Sequence, residues 1–149
     1  MRVKHYIVLL FVLSSLLVGC ATPTPAAPED APQVASTTAT QLAALPADVT
    51  PKMVDELRTT GEIVVIDVRE PDEFATGRIP GATLIPLGEL ANRTDEVPTD
   101  VPVVMVCRSG NRSGQAVQLL QKAGFTNVHN MTGGMNAWSQ AGYLVEADR

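Results

Sequence analysis

Residues 102–113 read PVVMVCRSGNRS, and this stretch decides the fold. Pro102 is followed by four consecutive apolar residues, which predicts a strand buried on both faces of a sheet. A polar loop at residues 107–113 comes next, and the apolar pattern at residues 116–120 predicts a helix after it. A buried strand, a short loop and a helix in this order are typical of an α/β domain with a largely parallel sheet.

The segments on either side continue the same alternation of strands and helices. Thr50 and Pro51 are typical of a helix N-cap and of a first helical position. The apolar run at residues 63–66 predicts a second doubly buried strand. Further strands are predicted at residues 82–85 and around Val128, and further helices from Pro71, over 87–90 and over 135–140.

Composition excludes several functional classes. The 149 residues include 16 acidic and 11 basic side chains, a net charge of −5, which argues against nucleic acid as a partner. Charged residues make up only 18% of the chain, too few for a highly charged disordered protein. Two cysteines are too few for a disulfide scaffold or for a four-cysteine zinc site. Neither a metal site nor a cofactor is predicted.

The first twenty residues predict export. Arg2 and Lys4 precede an apolar run at residues 6–18, which is shorter than the ~20 residues that a membrane span needs and is typical of a secretory signal. The run ends in LVGC at residues 17–20, which resembles the lipobox of bacterial lipoproteins, whose cysteine is acylated. We expect a lipoprotein signal peptide at residues 1–19 and a lipid on Cys20. The lipid would hold the protein in the cell envelope, on the extracytoplasmic side of the membrane.

Residues 21–46 are predicted to be a spacer. They are rich in alanine, threonine and proline and lack aromatic residues, so they offer little to offset the entropy of ordering. The prolines favour an extended, semi-stiff chain. We therefore divide the chain into the signal peptide, a lipidated tether at residues 20–46 and one domain at residues 47–149. If Cys20 carries the lipid, Cys107 is the single free thiol.

The loop after the central strand favours an anion beside a cysteine. It leads into a helix N-terminus, whose first amides lack partners and favour negative charge. Gly110 and Asn111 tolerate left-handed backbone, so the loop can turn its N–H groups inward. Arg108 and Arg112 add positive charge, and no acidic residue lies within residues 101–145. A cysteine in this setting is expected to have a lowered pKa and to react as a thiolate.

Three cysteine chemistries compete for this loop. Hydrolysis of phosphate esters uses a Cys-x5-Arg loop, but Arg112 stands only five positions after Cys107, so the loop is one residue short. Dithiol redox chemistry needs a resolving cysteine, and position 110 is a glycine. Sulfur transfer needs one thiolate, a compact anion-binding loop and no metal. The loop is most consistent with sulfur transfer.

Four motifs, in chain order, resemble those of the single-domain rhodaneses, which are thiosulfate sulfurtransferases. Residues 66–74, IDVREPDEF, resemble the D-x-R-E-x-x-E-F segment of the family. Residues 77–82, GRIPGA, resemble G-H-I-P-G-A, with Arg78 in place of the usual histidine. Residues 107–113 resemble the active loop with the serine that follows it, and residues 133–138, GGMNAW, resemble the closing G-G-x-x-A-W.

The resemblance implies a small α/β domain with a central, mostly parallel five-stranded sheet flanked by helices. It implies that Cys107 takes the outer sulfur of thiosulfate, releases sulfite and passes the sulfur from its persulfide to cyanide or a thiol. The loop residues that would bind the donor and stabilise the persulfide are Arg108, Ser109, Gly110, Asn111, Arg112 and Ser113. Asp67 and Arg69 are expected to brace this loop. The implied partners are a small anionic sulfur donor and a thiophilic acceptor, and the protein is expected to be a monomer.

A second function stays open at this point. The chain could be a membrane-tethered persulfide carrier or sulfide-binding module that works with a protein partner and turns over little thiosulfate. The intact loop does not separate this hypothesis from an enzyme. A purely regulatory module without chemistry is disfavoured because the cysteine is present. His129 is interpreted as a structural or surface residue rather than as a base for Cys107.

Overall fold

The computed structural model describes residues 45–148. The predicted signal peptide, Cys20 and residues 21–44 of the predicted tether lie outside the described residues. In this part of the chain the strands are β1 (Asp48–Val49), β2 (Val64–Asp67), β3 (Thr83–Leu84), β4 (Val103–Val106) and β5 (Val128–Met131). The helices are α1 (Pro51–Thr59), α2 (Pro71–Thr76), α3 (Leu87–Leu90), α4 (Asn111–Lys122) and α5 (Gly134–Gln140), with a 3₁₀ turn at Thr94–Glu96.

The strands form a five-stranded sheet in the order β1-β5-β4-β2-β3, and every neighbouring pair is parallel. All four residues of the central strand β4 are buried, which confirms the predicted doubly buried strand. The expected five-stranded α/β architecture is also confirmed, with a sheet that is entirely parallel. Because ligands of parallel sheets bind beyond the carboxyl ends of the strands, Cys107, directly after β4, lies where a site is expected.

Alternate residues of β4 face two separate cores. Val103 and Met105 pack in one core with Leu120 of α4, on one side of the sheet. Val104 and Val106 pack in the other core with Trp138 of α5, on the opposite side. Successive strand residues point to opposite faces, so helices on both sides of the sheet require the continuous apolar runs seen in the sequence.

Most of the predicted helices and strands agree with the structure to within about two residues at their ends, but α4 begins at Asn111, inside the loop predicted at residues 107–113. The N-cap of α1 is confirmed, because the side chain of Thr50 accepts a hydrogen bond from the backbone N–H of Met53 at 3.4 Å. The sequence predicts no strand before α1, however, and the structure has β1 there, paired with Asn130 and Met131 of β5. Two residues are too short for a periodic pattern, so this strand depends on its long-range partner.

Residues 146–148 pack beside α2 and contact Arg78. Arg78 and Glu146 exchange two backbone hydrogen bonds, of 2.8 and 3.0 Å. The guanidinium of Arg78 lies 4.8 Å from the ring centroid of Phe74, and its Nη1 is 2.8 Å from a carboxylate oxygen of Asp148. The backbone of residue 78 therefore pairs with the terminal segment, and the Arg78 side chain adds an ion pair with Asp148.

Within residues 45–148, no helix has the length and apolar character that crossing a membrane requires.

Candidate active site

The backbone of the Cys107 loop is clamped by the N-terminus of α5. The N–H of Met135 donates to the carbonyl of Cys107 at 2.8 Å, and the N–H of Asn136 donates to the carbonyl of Arg108 at 3.0 Å. These two bonds satisfy first-turn donors of α5, which have no partner within their own helix. They also turn the carbonyls of the loop toward α5 and leave its N–H groups available to the sulfur.

The sulfur of Cys107 is enclosed by hydrogen-bond donors. Cys107 is 1% exposed, and its Sγ accepts a hydrogen bond from the N–H of Gly110 at 3.1 Å. Gly110 has a φ of +92°, a left-handed conformation that favours glycine, and this turns its N–H inward just before α4 begins at Asn111. The hydroxyl of Ser113, on the first turn of α4, lies 3.4 Å from the same sulfur.

These donors lower the pKa of Cys107. Burial raises the pKa of the thiol, but the hydroxyl of Ser113 and the backbone N–H groups of Ser113, Ser109 and Gly110 outweigh it, and the pKa falls below its ordinary value. Among the groups that lower this pKa, the Ser113 hydroxyl and the backbone amides contribute more than the arginine charges. The loop therefore favours the thiolate, which is the nucleophilic form of cysteine.

Arg112 does not point freely at the sulfur, because Glu73 of α2 pairs with it. The guanidinium donates two hydrogen bonds to the Glu73 carboxylate, of 2.7 and 2.8 Å. These bonds lower the pKa of Glu73 from 4.5 to about 2. The absence of acidic residues from residues 101–145 therefore does not leave the loop strongly positive. The carboxylate that neutralises Arg112 is that of Glu73, which lies 39 positions earlier in the chain.

We expect Glu73→Gln to lower the free energy of unfolding at neutral pH by about 1 kcal/mol, because an ion pair that is a quarter to a third exposed is partly screened. The folded pKa of Glu73 lies below the unfolded one, so the contribution is complete above pH ~5 and is lost as the pH falls toward ~2. Urea unfolding of both proteins across this range measures the difference. Asp72→Asn, at an exposed carboxylate of the same helix, is the control, and an equal loss there would refute the assignment.

Asp67 and Arg69 form a buried ion pair at the end of β2. The guanidinium of Arg69 donates to the Asp67 carboxylate at 2.7 to 2.9 Å and to the carbonyl of Gly77 at 2.7 Å. The pair thus ties the end of β2 to the segment after α2. Support for the Cys107 loop runs through the backbone instead, where the N–H of Val68 donates to the carbonyl of Val106 at 2.8 Å.

Arg108, the residue after Cys107, is exposed. Its side chain and that of Arg69 line a cavity of about 410 Å³ next to the loop, together with Asn136 and Ser139 of α5. His129 lies on β5, with its Nδ1 2.9 Å from the carbonyl of Pro46, and lines a different cavity at the amino ends of the strands. This position supports its interpretation as a structural residue.

Sequence reasoning misses two polar residues at this site, Asn130 and Asp48. The hydroxyl of Ser113 lies 2.7 Å from Oδ1 of Asn130, and Nδ2 of Asn130 donates to the Asp48 carboxylate at 2.9 Å. No spacing in the sequence connects these residues. They meet because β5 lies beside β4 and β1 lies beside β5.

Residues 50–141 match the family described as the rhodanese-like domain. The uncharacterized protein YqhL of Bacillus subtilis is 49% identical over 74 residues, which cover 50% of this chain and 59% of that protein. The chain therefore spans less than two thirds of that relative. A sulfurtransferase of Allochromatium vinosum is 40% identical over 91 residues, 61% of this chain and 85% of its own. The thiosulfate sulfurtransferase GlpE of Pseudoalteromonas translucida is 33% identical over 94 residues, 63% of this chain and 89% of its own.

A solved structure is similar to the domain as well. The rhodanese-related protein of Thermoplasma volcanium superposes with a TM-score of 0.63 at 31% identity, covering 68% of this chain and 98% of that one. The match at residues 50–141 spans more than half of the chain and contains both the parallel sheet and the Cys107 loop. The chain belongs to the rhodanese-like domain family.

Proposed function

We propose that the protein is a sulfurtransferase that carries sulfane sulfur as a persulfide on Cys107. The observation that carries this proposal is a single thiol, with a lowered pKa, at the centre of a ring of N–H and O–H donors. Cys107 is the one cysteine among residues 45–148, so a resolving thiol does not compete with a small acceptor there. Relatives named sulfurtransferase support the same reaction class.

The first half-reaction loads the cysteine. The Cys107 thiolate attacks the outer sulfur of thiosulfate and forms a new S–S bond. The bond between the two sulfurs of thiosulfate breaks, and its electron pair leaves with sulfite. A thiolate and a thiosulfate dianion thus give a persulfide anion and a sulfite dianion, so charge balances and no proton or oxidant is needed.

The second half-reaction discharges the persulfide. Cyanide or an acceptor thiolate attacks the outer sulfur, and the electron pair of the S–S bond returns to Sγ of Cys107. In the persulfide the charge lies on the outer sulfur, so the N–H groups of Ser109, Gly110 and Ser113 would stabilise it there. Charge-assisted hydrogen bonds of this kind are about twice as strong as neutral ones. Arg108 and Arg112 would attract the anionic donor, and thiosulfate is our proposal for that donor.

Mass spectrometry of the intact protein tests the loading step. After incubation with thiosulfate and removal of excess donor, we expect a gain of one sulfur atom that maps to Cys107 and is discharged by cyanide as thiocyanate. An unchanged mass with thiosulfate and with other sulfane donors would refute the persulfide.

A persulfide carrier that works with a protein partner is the second candidate function. The pairing of Arg112 with Glu73 favours it, because a guanidinium already bound to a carboxylate attracts a small dianion less strongly. Turnover with thiosulfate decides between the two functions. A full persulfide load with very slow turnover would indicate the carrier, whereas steady thiocyanate production would indicate the enzyme.

We also propose that the domain is tethered to a membrane through a lipid on Cys20, as the LVGC sequence at residues 17–20 suggests. Cys20→Ala is expected to move the protein from the membrane fraction to the soluble fraction, because acylation needs the thiol. Fractionation of cells that produce each form measures this. Continued membrane association of the variant would refute the lipid anchor.

A further inference from the structure

The hydroxyl of Ser113 has one hydrogen and two acceptors within reach. Its Oγ lies 3.4 Å from Sγ of Cys107 and 2.7 Å from Oδ1 of Asn130. A serine hydroxyl donates one hydrogen bond at a time. Ser113 and Cys107 are fully buried, so water does not readily supply a substitute donor to the sulfur.

Asp48 determines which end of the Asn130 amide faces Ser113. A carboxylate has only acceptors, so the NH₂ group of Asn130 must face the Asp48 oxygen, at 2.9 Å. The amide oxygen is then directed at Ser113. If the amide turned over, two oxygens would face each other at Asp48, and the amide would donate to Ser113 instead of accepting from it.

We propose that Asp48 is a positioning residue of this site: by orienting Asn130, it gives the Ser113 hydroxyl an acceptor that competes with the Cys107 sulfur. The role of this competition in catalysis rests on the proposed function of Cys107. When Sγ is a thiolate, the Ser113 hydrogen turns to the sulfur and Asn130 loses its donor. When the charge moves to the outer sulfur of the persulfide, the hydrogen returns to Asn130. The hydrogen bonds that link Asp48, Asn130 and Ser113 thus favour the Cys107 persulfide over the free Cys107 thiolate.

Other charged groups around the thiol need to stay constant while this network is tested. Arg112 on α4 lies close enough to Cys107 for the two charges to interact, and Glu73 on α2 neutralises the charge of Arg112. Arg108 follows Cys107 on the loop and is exposed, and the Asp67–Arg69 pair lies buried at the end of β2. Asp48 on β1 reaches the thiol only through Asn130 and Ser113.

The test is the pH dependence of Cys107 ionisation in an Asp48→Asn variant. An asparagine side chain both donates and accepts, so Asn130 can turn over and release the Ser113 hydroxyl to the sulfur. We expect the midpoint of Cys107 ionisation to fall by about 0.5 pH unit. A hydrogen bond to a charged acceptor is stronger than one to a neutral acceptor by an amount that corresponds to a shift of this order. Thiolate absorbance and iodoacetamide alkylation measure the midpoint, in full chains that carry Cys20→Ala so that Cys107 is the only thiol.

A Ser113→Ala background separates the network from simple charge removal. Without the hydroxyl, Asp48→Asn should no longer shift the midpoint, whereas a through-space effect of the lost charge would persist. Asp100→Asn removes an exposed carboxylate at the opposite end of β4 and should leave the midpoint unchanged. An equal shift in both backgrounds, or no shift in either, would overturn the proposal. Ionisation requires no sulfur donor, so this result is independent of whether thiosulfate turns over.

Discussion

Cys107→Ser is expected to lower thiocyanate production from thiosulfate and cyanide at least about a thousandfold while the domain stays folded. The loss follows from chemistry, because a serine hydroxyl is not ionised at neutral pH and cannot hold a persulfide. The fold should survive, since serine is slightly smaller than cysteine and its oxygen can still accept from the N–H of Gly110, which lies 3.1 Å from the sulfur. The cyanide assay measures the rate, and far-ultraviolet circular dichroism checks the fold.

Cys20→Ala is the matched control, because it removes the other cysteine of the chain and leaves the described domain unaltered. Its rate with thiosulfate in detergent or in the soluble fraction should equal that of the wild type. If the Cys107→Ser protein kept a rate near that of wild type, the persulfide mechanism would be wrong, whatever the state of Cys20.

The elements that the sequence predicts well are those whose signal is local. The continuous apolar run of β4 requires burial on both faces, and both faces are indeed covered by helices. The Cys107 loop is recognisable because a strand, a glycine-containing turn and a helix N-terminus follow one another without interruption. Its anion-binding geometry depends on backbone amides, which the local turn at Gly110 directs inward and which two hydrogen bonds from α5 hold in place.

The residues that the sequence does not predict act through partners far away in the chain. Glu73 neutralises Arg112 from 39 positions away, so counting charges within the loop segment overestimates its positive field. Asp48 reaches Ser113 only because β1 pairs with β5, and β1 is two residues long. Such contacts are consequences of strand order, and neither hydrophobic periodicity nor motif spacing encodes strand order directly.

Gly134→Ala is expected to damage both the stability and the activity of the domain. A Cβ at this position would lie 2.2 Å from the carbonyl oxygen of Cys107, 2.7 Å from the carbonyl carbon of Arg108 and 2.8 Å from the N–H nitrogen of Ser109. All three are backbone atoms of the active loop, so no flexible side chain can move aside. The loop must shift away from α5, which weakens the bonds that aim its N–H groups at the sulfur.

We expect the free energy of unfolding to fall by about 3 kcal/mol or more, from overpacking together with the left-handed φ of +54°. The rate of sulfur transfer should fall by about a hundredfold in the protein that remains folded, because small displacements of a reacting group have effects of this order. Urea unfolding and the cyanide assay, run on the same preparations, measure the two losses separately.

Gly142→Ala separates the close approach from the backbone conformation. Gly142 also has a positive φ, of +78°, but a Cβ there would meet nothing within 4 Å. We expect this control to lose only about 1 kcal/mol of stability and to keep the wild-type rate. If both alanine variants lost stability and rate equally, the effect at Gly134 would come from backbone strain alone. A selective loss at Gly134 would show that the N-terminus of α5 holds the active loop in its reactive geometry.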